Sequence, residues 1–260
     1  MTRIALIGPS DLGVQLGITL NEAGAEVIGF NLPPTEYSPI HLASNLEQTV
    51  ESADLVLSFE LPQLAEKTAQ ECAPLLKAGA LFADFSSGTP ERKKHLAAVF
   101  SGNVFADAAL TSAGAIDAAG PAAHALSDVL SSLGVKVNVV SNISGDVAAR
   151  TLIRTLFTNG MAEVLADTLW AAESLGLEDW AWSDIKKELT GSNGDRAQAL
   201  IDDTAYNFKR HQIAMQDVVE MLTSSGYDST MIAPIQFTHG RIMHGKKIPH
   251  SQAPAKKWQR

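Results

Sequence analysis

A chain of 260 residues is long enough for two modest domains or one large one, and its composition, 45% hydrophobic and 19% charged, is typical of a globular protein. Its net charge of −9 argues against a nucleic-acid partner, because neutralising phosphates requires clustered lysine and arginine. The single cysteine, Cys72, excludes an internal disulfide, and no apolar run approaches the ~20 residues that cross a bilayer. With no signal-peptide pattern either, we expect a cytoplasmic protein that binds neither nucleic acid nor membrane.

Short apolar runs alternate with helical patterns through the first half of the chain. The first run, residues 3–7, ends at a glycine, as a buried parallel strand does, and the helical pattern at 12–23 ends at Gly24. Further apolar runs predict strands at residues 26–30, 54–58, 80–84, 104–108 and 135–140. Strands and helices in this order favour a doubly wound parallel α/β sheet, which binds ligands at the carboxyl ends of its strands.

The second half of the chain is predicted to be helical. Ser144 has the side chain of a helix N-cap, and Asp146 follows in the first turn. Helical patterns extend over residues 147–175, 183–189, 196–223 and 229–243. We therefore predict an α/β domain at 1–143 and an all-α domain at 144–245, joined by the long helix, with a poorly ordered basic tail at 246–260.

The turn after the first strand, GPSDLG, has nearly the glycine spacing of a dinucleotide-binding loop. Gly8 and Gly13 keep the outer glycine positions, which allow the tight turn and the close packing of the helix on the sheet. Ser10 replaces the middle glycine, and its hydroxyl can donate a hydrogen bond to a phosphate oxygen beside the helix N-terminus. The alternative is a tight strand-to-helix turn that binds no ligand.

The residue that ends the second strand predicts which dinucleotide binds. NAD sites place Asp or Glu there to accept the ribose hydroxyls, whereas this chain has Asn31, which does not repel a 2′-phosphate. The sequence therefore favours NADP, with NAD still possible.

The order of these motifs resembles the β-hydroxyacid dehydrogenase superfamily, which includes 3-hydroxyisobutyrate and 6-phosphogluconate dehydrogenases and the imine reductases. GPSDLG, DFSSGTP, VFADAALTSAG and the long helix SGDVAARTLIRTLFTNG carry the resemblance, which extends from Arg3 to about Met243. It is greatest to 6-phosphogluconate-dehydrogenase-like proteins with a short helical C-terminal domain. It implies a Rossmann domain, a helical domain through which two subunits form a homodimer, and an interdomain cleft in which hydride passes between a nicotinamide and a β-hydroxy acid or an imine.

The resemblance also implies a set of site residues. The cofactor set is Gly8, Pro9, Ser10, Asp11, Leu12, Gly13, Asn31, Ser58, Phe59 and Ser86. The small-molecule substrate would contact Thr111, Ser112 and Arg154, and the catalytic set is Thr151, Asn159 and His211. No metal ligands stand at metal-binding spacing.

Thr151 occupies the position of the family's general acid–base lysine and cannot exchange a proton near neutral pH. Three functions stay open. The protein could reduce an imine, whose carbon is already electrophilic. It could act on a hydroxy acid with another proton donor, such as His211 or Asp217. It could also be an inactive NADP-binding regulatory or structural homologue.

Several of these residues have equally ordinary structural explanations. Arg154 could bind a substrate carboxylate or pair with a neighbouring acidic side chain. Thr89 and Pro90 explain part of DFSSGTP as a helix cap followed by the first helical position. Trp170, Trp180 and Trp182 could anchor a dimer interface or pack in the helical core.

Overall fold

The computed structural model describes residues 1–33, 40–111, 113–190, 195–248 and 251–252. The chain divides into two compact units, Met1–Thr155 and Leu156–Arg260. Within the described residues, no helix is long and apolar enough to span a membrane.

The first unit is an α/β unit. Its strands are β1 Arg3–Ile7, β2 Glu26–Phe30, β3 His41–Leu42, β4 Leu55–Ser58, β5 Leu81–Asp84, β6 Phe105–Leu110, β7 Ile116–Ala119 and β8 Val137–Ser141. Its helices are α1 Asp11–Glu22, α2 Leu46–Val50, α3 Ala65–Cys72, α4 Pro90–Val99 and α5 Ala123–Ser132. The long helix α6, Asp146–Glu173, begins in this unit. In the second unit follow α7 Glu178–Thr190, α8 Asp195–Ser225 and α9 Ile232–Met243.

The strands form one sheet in the order β3-β2-β1-β4-β5-β6-β7-β8. Helices α1 and α5 cover one face, where Leu6, Leu20 and Leu126 pack together. Helices α2, α3 and α4 cover the other face, around Val56 and Phe82. This arrangement confirms the predicted doubly wound α/β sheet followed by a helical part.

Two strands were not expected from the sequence, and one of them reverses the direction of the sheet. Strand β7 is antiparallel to β6, and β8 is parallel to β7, so the strand predicted at 135–140 runs against the first six. The hairpin between β6 and β7 is closed by the Thr111 N–H, which donates to the Ala115 carbonyl at 2.8 Å. A turn this short cannot make a parallel crossover, which needs a dozen or more residues.

The start of α6 differs from the prediction that Ser144 caps it. The helix begins at Asp146, and the Ala149 N–H donates to the Gly145 carbonyl at 2.9 Å. The Ala148 N–H, in the first turn, donates instead to Oδ2 of Asp107 on β6, also at 2.9 Å. A carboxylate that is distant in sequence therefore replaces the expected local cap.

Candidate functional site

The turn between β1 and α1 has the conformation that the glycine pattern predicts. Gly8 has φ +105°, and its N–H donates to the Phe30 carbonyl at 3.1 Å. Ser10 is the extended N-cap of α1, and its Oγ accepts from the Gly13 N–H at 3.2 Å. Since the hydroxyl proton is not used in accepting that bond, Ser10 can still donate to a ligand.

Both outer glycines make room for the loop that follows β4. A Cβ on Gly8 would lie 2.5 Å from the Phe59 carbonyl carbon, and a Cβ on Gly13 would lie 2.9 Å from the Phe59 ring. The Phe59 ring stacks on that of Phe85, which follows β5, with centroids 4.3 Å apart. The loops after β1, β4 and β5 are therefore packed together at the carboxyl edge of the sheet.

The first turn of α1 presents main-chain donors at this edge. The N–H groups of Asp11 and Leu12 have no acceptor within the helix, because they belong to its first turn, and both residues are exposed. Pro9, just before the cap, is also exposed. Such a helix start favours an anion.

The other predicted cofactor residues differ in accessibility. Asn31 lies just after β2, is exposed, and has φ +56°, a conformation that asparagine tolerates better than most residues. Ser58, the last residue of β4, is fully buried, and its Oγ has no hydrogen-bond partner among the described residues. Only Asn31 of this pair presents its side chain to solvent.

Ser86 belongs to a buried polar cluster that sequence reasoning missed. Its hydroxyl donates to Asp84 Oδ2 at 2.8 Å and its N–H to Asp84 Oδ1 at 3.3 Å. The Lys93 ammonium, from α4, donates to the same Asp84 Oδ2 and to the Ser86 carbonyl at 2.6 Å. Thr89 and Pro90 cap and begin α4 as predicted.

Asp107 completes this cluster from the next strand. Asp84 and Asp107 are paired positions of β5 and β6, so their side chains lie on one face of the sheet. Lys93 Nζ is 3.4 Å from Asp107 Oδ1, within ion-pair range, but that oxygen accepts no hydrogen bond from the described residues. Burial raises the pKa of Asp107, against the opposing effects of Lys93 and the Ala148 N–H. Asp84 ends a strand that the sequence predicts, whereas Asp107 lies inside a predicted strand and Lys93 resembled a surface lysine beside Lys94.

The predicted substrate residues of the β6–β7 turn are only partly described. The Thr111 hydroxyl donates to the Ala115 carbonyl at 3.0 Å and accepts from the Ala115 N–H at 3.1 Å, which gives it a structural role. Ser112 lies outside the described residues. Thr111 and Leu12 line one cavity of about 710 Å³, so the structure brings a predicted substrate residue and a predicted cofactor residue together.

On α6, Thr151 is half-buried and Arg154 is exposed. Arg154 Nη2 lies 3.7 Å from Asp117 Oδ2, the ordinary ion pair that we weighed against substrate binding. Asn159 is a helical position of α6 in the second unit, but its side chain lies outside the described part of the chain.

In the second unit, His211 is part of a polar group on α8 and α9. Its Nε2 is 2.8 Å from Asp203 Oδ2, and its ring meets that of His239 edge-on, with centroids 6.1 Å apart. His239 is buried, its Nδ1 has no hydrogen-bond partner among the described residues, and burial, with a further effect of His211, lowers its pKa. The side chain of Asp217, the other predicted proton donor, is outside the described part.

Both histidines line a cavity of about 560 Å³ whose described walls also include Met215, Met231 and Ile235. No lysine or arginine is among its described lining residues. It can therefore accommodate an apolar molecule, and a carboxylate would meet no lysine or arginine among those residues. Across the described chain, no group of His, Cys, Asp and Glu could hold a metal ion.

The fold is shared with solved oxidoreductases. The imine reductase from Myxococcus stipitatus, solved with NADP+, has a TM-score of 0.74 and 17% identity over 93% of each chain. The reductive aminase from Aspergillus terreus, solved with NADPH and ethyl levulinate, has a TM-score of 0.72 and 16% identity, again over 93% of each chain. The 3-hydroxyisobutyrate dehydrogenase from Mycobacterium tuberculosis has a TM-score of 0.60 and 16% identity over 97% of this chain and 96% of its own.

No protein-family model and no curated protein matches the sequence. The likeness in structure confirms the fold that the sequence resemblance implied.

Proposed function

We propose that this protein is an NAD(P)-dependent oxidoreductase that transfers hydride between a nicotinamide and an imine or a small β-hydroxy acid. The observation that carries the proposal is the turn between β1 and α1, with Gly8 at φ +105° and Ser10 capping a helix whose first N–H groups are free to bind an anion. The fold shared with proteins solved with NADP+ and NADPH supports it.

A dinucleotide would be held by main-chain donors of this turn and by the Ser10 hydroxyl, with Asn31 beside its ribose. The nicotinamide supplies the hydride. The protein therefore has to bind and orient the cofactor and the substrate, and to supply or accept a proton. Of the two reactions, imine reduction depends less on a strong acid–base group, because the imine carbon is already electrophilic. It therefore suits a chain in which Thr151 cannot serve as that group. The cavity beside His211, with no lysine or arginine among its described lining residues, favours the same choice.

His211 is the proton donor in this proposal. Its ring lines the cavity and its Nε2 lies 2.8 Å from Asp203 Oδ2, so it is a titratable side chain placed where a substrate could bind. A catalytically inactive NADP-binding homologue is the second candidate, because the acid–base lysine is replaced.

We also propose that the protein forms a homodimer through its helical unit. Trp170, Trp180 and Trp182 are 56%, 63% and 48% exposed, so they do not serve as core of the described chain. Several large apolar side chains that are exposed in the same part of a chain are typical of an interaction surface.

The test of the cofactor site is Asn31→Asp. A carboxylate at this position repels a 2′-phosphate and accepts bonds from a ribose diol, so the ratio of the NADPH and NADH dissociation constants should rise by about tenfold or more. Fluorescence titration of both nucleotides measures this ratio. Asn45→Asp, which changes the exposed N-cap of α2, is the matched control and should leave the ratio unchanged.

The same titration, followed by a screen of cyclic imines and β-hydroxy acids at the nicotinamide absorbance, separates the candidate functions. Turnover of either class supports the enzyme, whereas tight binding without turnover supports the inactive homologue. If neither nucleotide binds, the proposal is wrong.

A further inference from the structure

Lys93 is a buried cation at the carboxyl edge of the sheet, with a relative exposure of only 1%. A lysine is seldom fully buried unless its charge is paired, because removing an ammonium from water is costly. Its Nζ donates to Asp84 Oδ2 and to two main-chain carbonyls, those of Asp84 at 3.2 Å and Ser86 at 2.6 Å. All three donors of the ammonium are therefore directed at β5 and the loop that follows it.

The same ammonium reaches the next strand and, through it, α6. Asp107 is paired with Lys93 at 3.4 Å through Oδ1 and accepts from the Ala148 N–H through Oδ2. Gly145, the residue before α6, also packs closely on the first residue of α4, since a Cβ on Gly145 would lie 2.7 Å from the Pro90 carbonyl oxygen. The starts of α4 and α6, the end of β5 and the middle of β6 thus meet around one positive charge.

Two segments of the proposed site depend on this cluster. The loop at 85–89 carries Phe85, whose ring stacks on Phe59, and Ser86, whose side chain and main chain are both held inside the cluster. The first turns of α6 carry Thr151, three residues after Ala148 and therefore about one turn further along the helix. The loop and the helix are not bonded to each other directly by any described hydrogen bond; Lys93 and Asp107 connect them.

We infer that Lys93 is a positioning residue of the proposed hydride-transfer site, which fixes the loop at 85–89 and the first turn of α6 relative to each other. The inference rests on the proposed function. An apolar side chain could fill the same volume and keep α4 on the sheet, but it could not bond the Ser86 carbonyl. Without the ammonium, two buried carboxylates would face each other across neighbouring strands.

The test compares three variants: Lys93→Met/Asp107→Asn, which removes the cation together with one carboxylate; Asp107→Asn alone; and Lys94→Met, a change at an exposed lysine of the same helix. Each is measured for thermal melting, for NADPH affinity by fluorescence, and for amide hydrogen exchange without nucleotide. The double variant should bind NADPH about tenfold more weakly or worse. Its faster exchange should be confined to residues 85–89 and 146–151.

Asp107→Asn should leave exchange at residues 85–89 as slow as in the wild type, because Lys93 keeps its bonds to Asp84 and Ser86, and should speed exchange only at the start of α6, where the ion pair to Lys93 is lost. Lys94→Met should match the wild type. A folded double variant with wild-type affinity and exchange overturns the inference, and so does an Asp107→Asn variant whose loop at 85–89 exchanges as fast as in the double variant.

Two further outcomes are also decisive. If the wild type binds neither NADPH nor NADH, the proposed function fails. Amide exchange at 85–89 in the double variant then still tests whether Lys93 holds this loop, because that measurement needs no nucleotide. If the double variant does not fold, the wild-type protein is informative, because its hydrogen-bonded amides at Phe85 and Ser86 should exchange as slowly as those of β5. Exchange of these two amides at unprotected rates would overturn the inference.

Discussion

At the scale of single residues, a glycine of the first turn is needed because it leaves space for the side chain of a neighbouring residue, Phe59. Gly13 is buried in the first turn of α1, and the ring of Phe59 occupies the space that a Cβ would need. Ser10, between the glycines, tolerates a side chain because its Oγ caps the helix. A missing middle glycine is therefore compatible with an intact turn, whereas a missing outer glycine is not.

We expect Gly13→Ala to destabilise the protein by about 1–3 kcal/mol, because the new Cβ would meet the Phe59 ring at 2.9 Å. Gly160→Ala is the control. Gly160 is also helical but has nothing within 4 Å of a built Cβ, so alanine should stabilise the protein by about 1 kcal/mol through helix propensity. Urea denaturation measures both. Stabilisation of the two variants alike would contradict the contact with Phe59.

The sequence resemblance implies that Thr151 stands at the position of the family's acid–base lysine, and a substitution tests this prediction. We expect Thr151→Lys to raise β-hydroxy-acid oxidation by at least about tenfold, because a positioned acid–base group typically contributes 10²–10⁴-fold. Production of NADPH, followed by its absorbance, measures the rate. Thr155→Lys makes the same change one turn further along α6, at an exposed position, and should have no such effect. Equal rates in the two variants would show that Thr151 does not occupy the lysine position.

At the scale of elements, local patterns predicted most strands and helices, and the failures share one cause. Gly24, with φ +94°, ends α1 as predicted, and Thr89 caps α4, because both signals lie within a few residues of the helix end. The reversal at β7 and the capping of α6 by Asp107 depend on partners distant in sequence. The Lys93 cluster was missed for the same reason, since its members come from the end of one strand, a helix and the middle of a second strand.

Another buried carboxylate fixes elements within the helical unit. Asp167 of α6, 6% exposed, accepts hydrogen bonds from Tyr227 Oη at 2.8 Å and Ser229 Oγ at 2.5 Å, and from the Thr230 N–H at 3.2 Å. Burial alone would raise the pKa of Asp167, but these hydrogen bonds outweigh it, and the pKa is lowered from its ordinary value of 3.8. The segment between α8 and α9 is thereby attached to α6.

We expect Asp167→Asn to lower the free energy of unfolding at pH 7 by about 2 kcal/mol, because an amide cannot accept from all of these donors. The folded-state pKa lies below the unfolded-state value, so the stabilisation is fully present above about pH 4 and is lost as the pH falls through the folded-state pKa. The difference between wild type and variant should therefore shrink in acid. Denaturant unfolding across this pH range measures it, with Asp228→Asn, at an exposed neighbour, expected to stay within about 0.5 kcal/mol of the wild type.

At the scale of the whole molecule, the two units bury their apolar residues to different extents. The sheet of the first unit has fully buried layers on both faces, with Leu6 and Val56 among residues at 0% exposure. The second unit leaves Phe157 65% and Phe237 66% exposed, in addition to its tryptophans. The proposed homodimer would require this difference: a sheet unit whose apolar side chains are already buried, and a helical unit whose apolar side chains are still uncovered.

If a second copy covers this surface, the protein should have about twice the chain mass of 27.6 kDa in sedimentation or light scattering. Trp180→Glu should then dissociate it, because a charge replaces a large apolar anchor that would be desolvated in the interface. Leu42→Glu is the matched control, since Leu42 is 57% exposed but lies on the edge strand of the first unit, and it should leave the mass unchanged. A wild-type protein of single-chain mass, or a Trp180→Glu variant that remains dimeric, would show that these side chains are not the dimer contact.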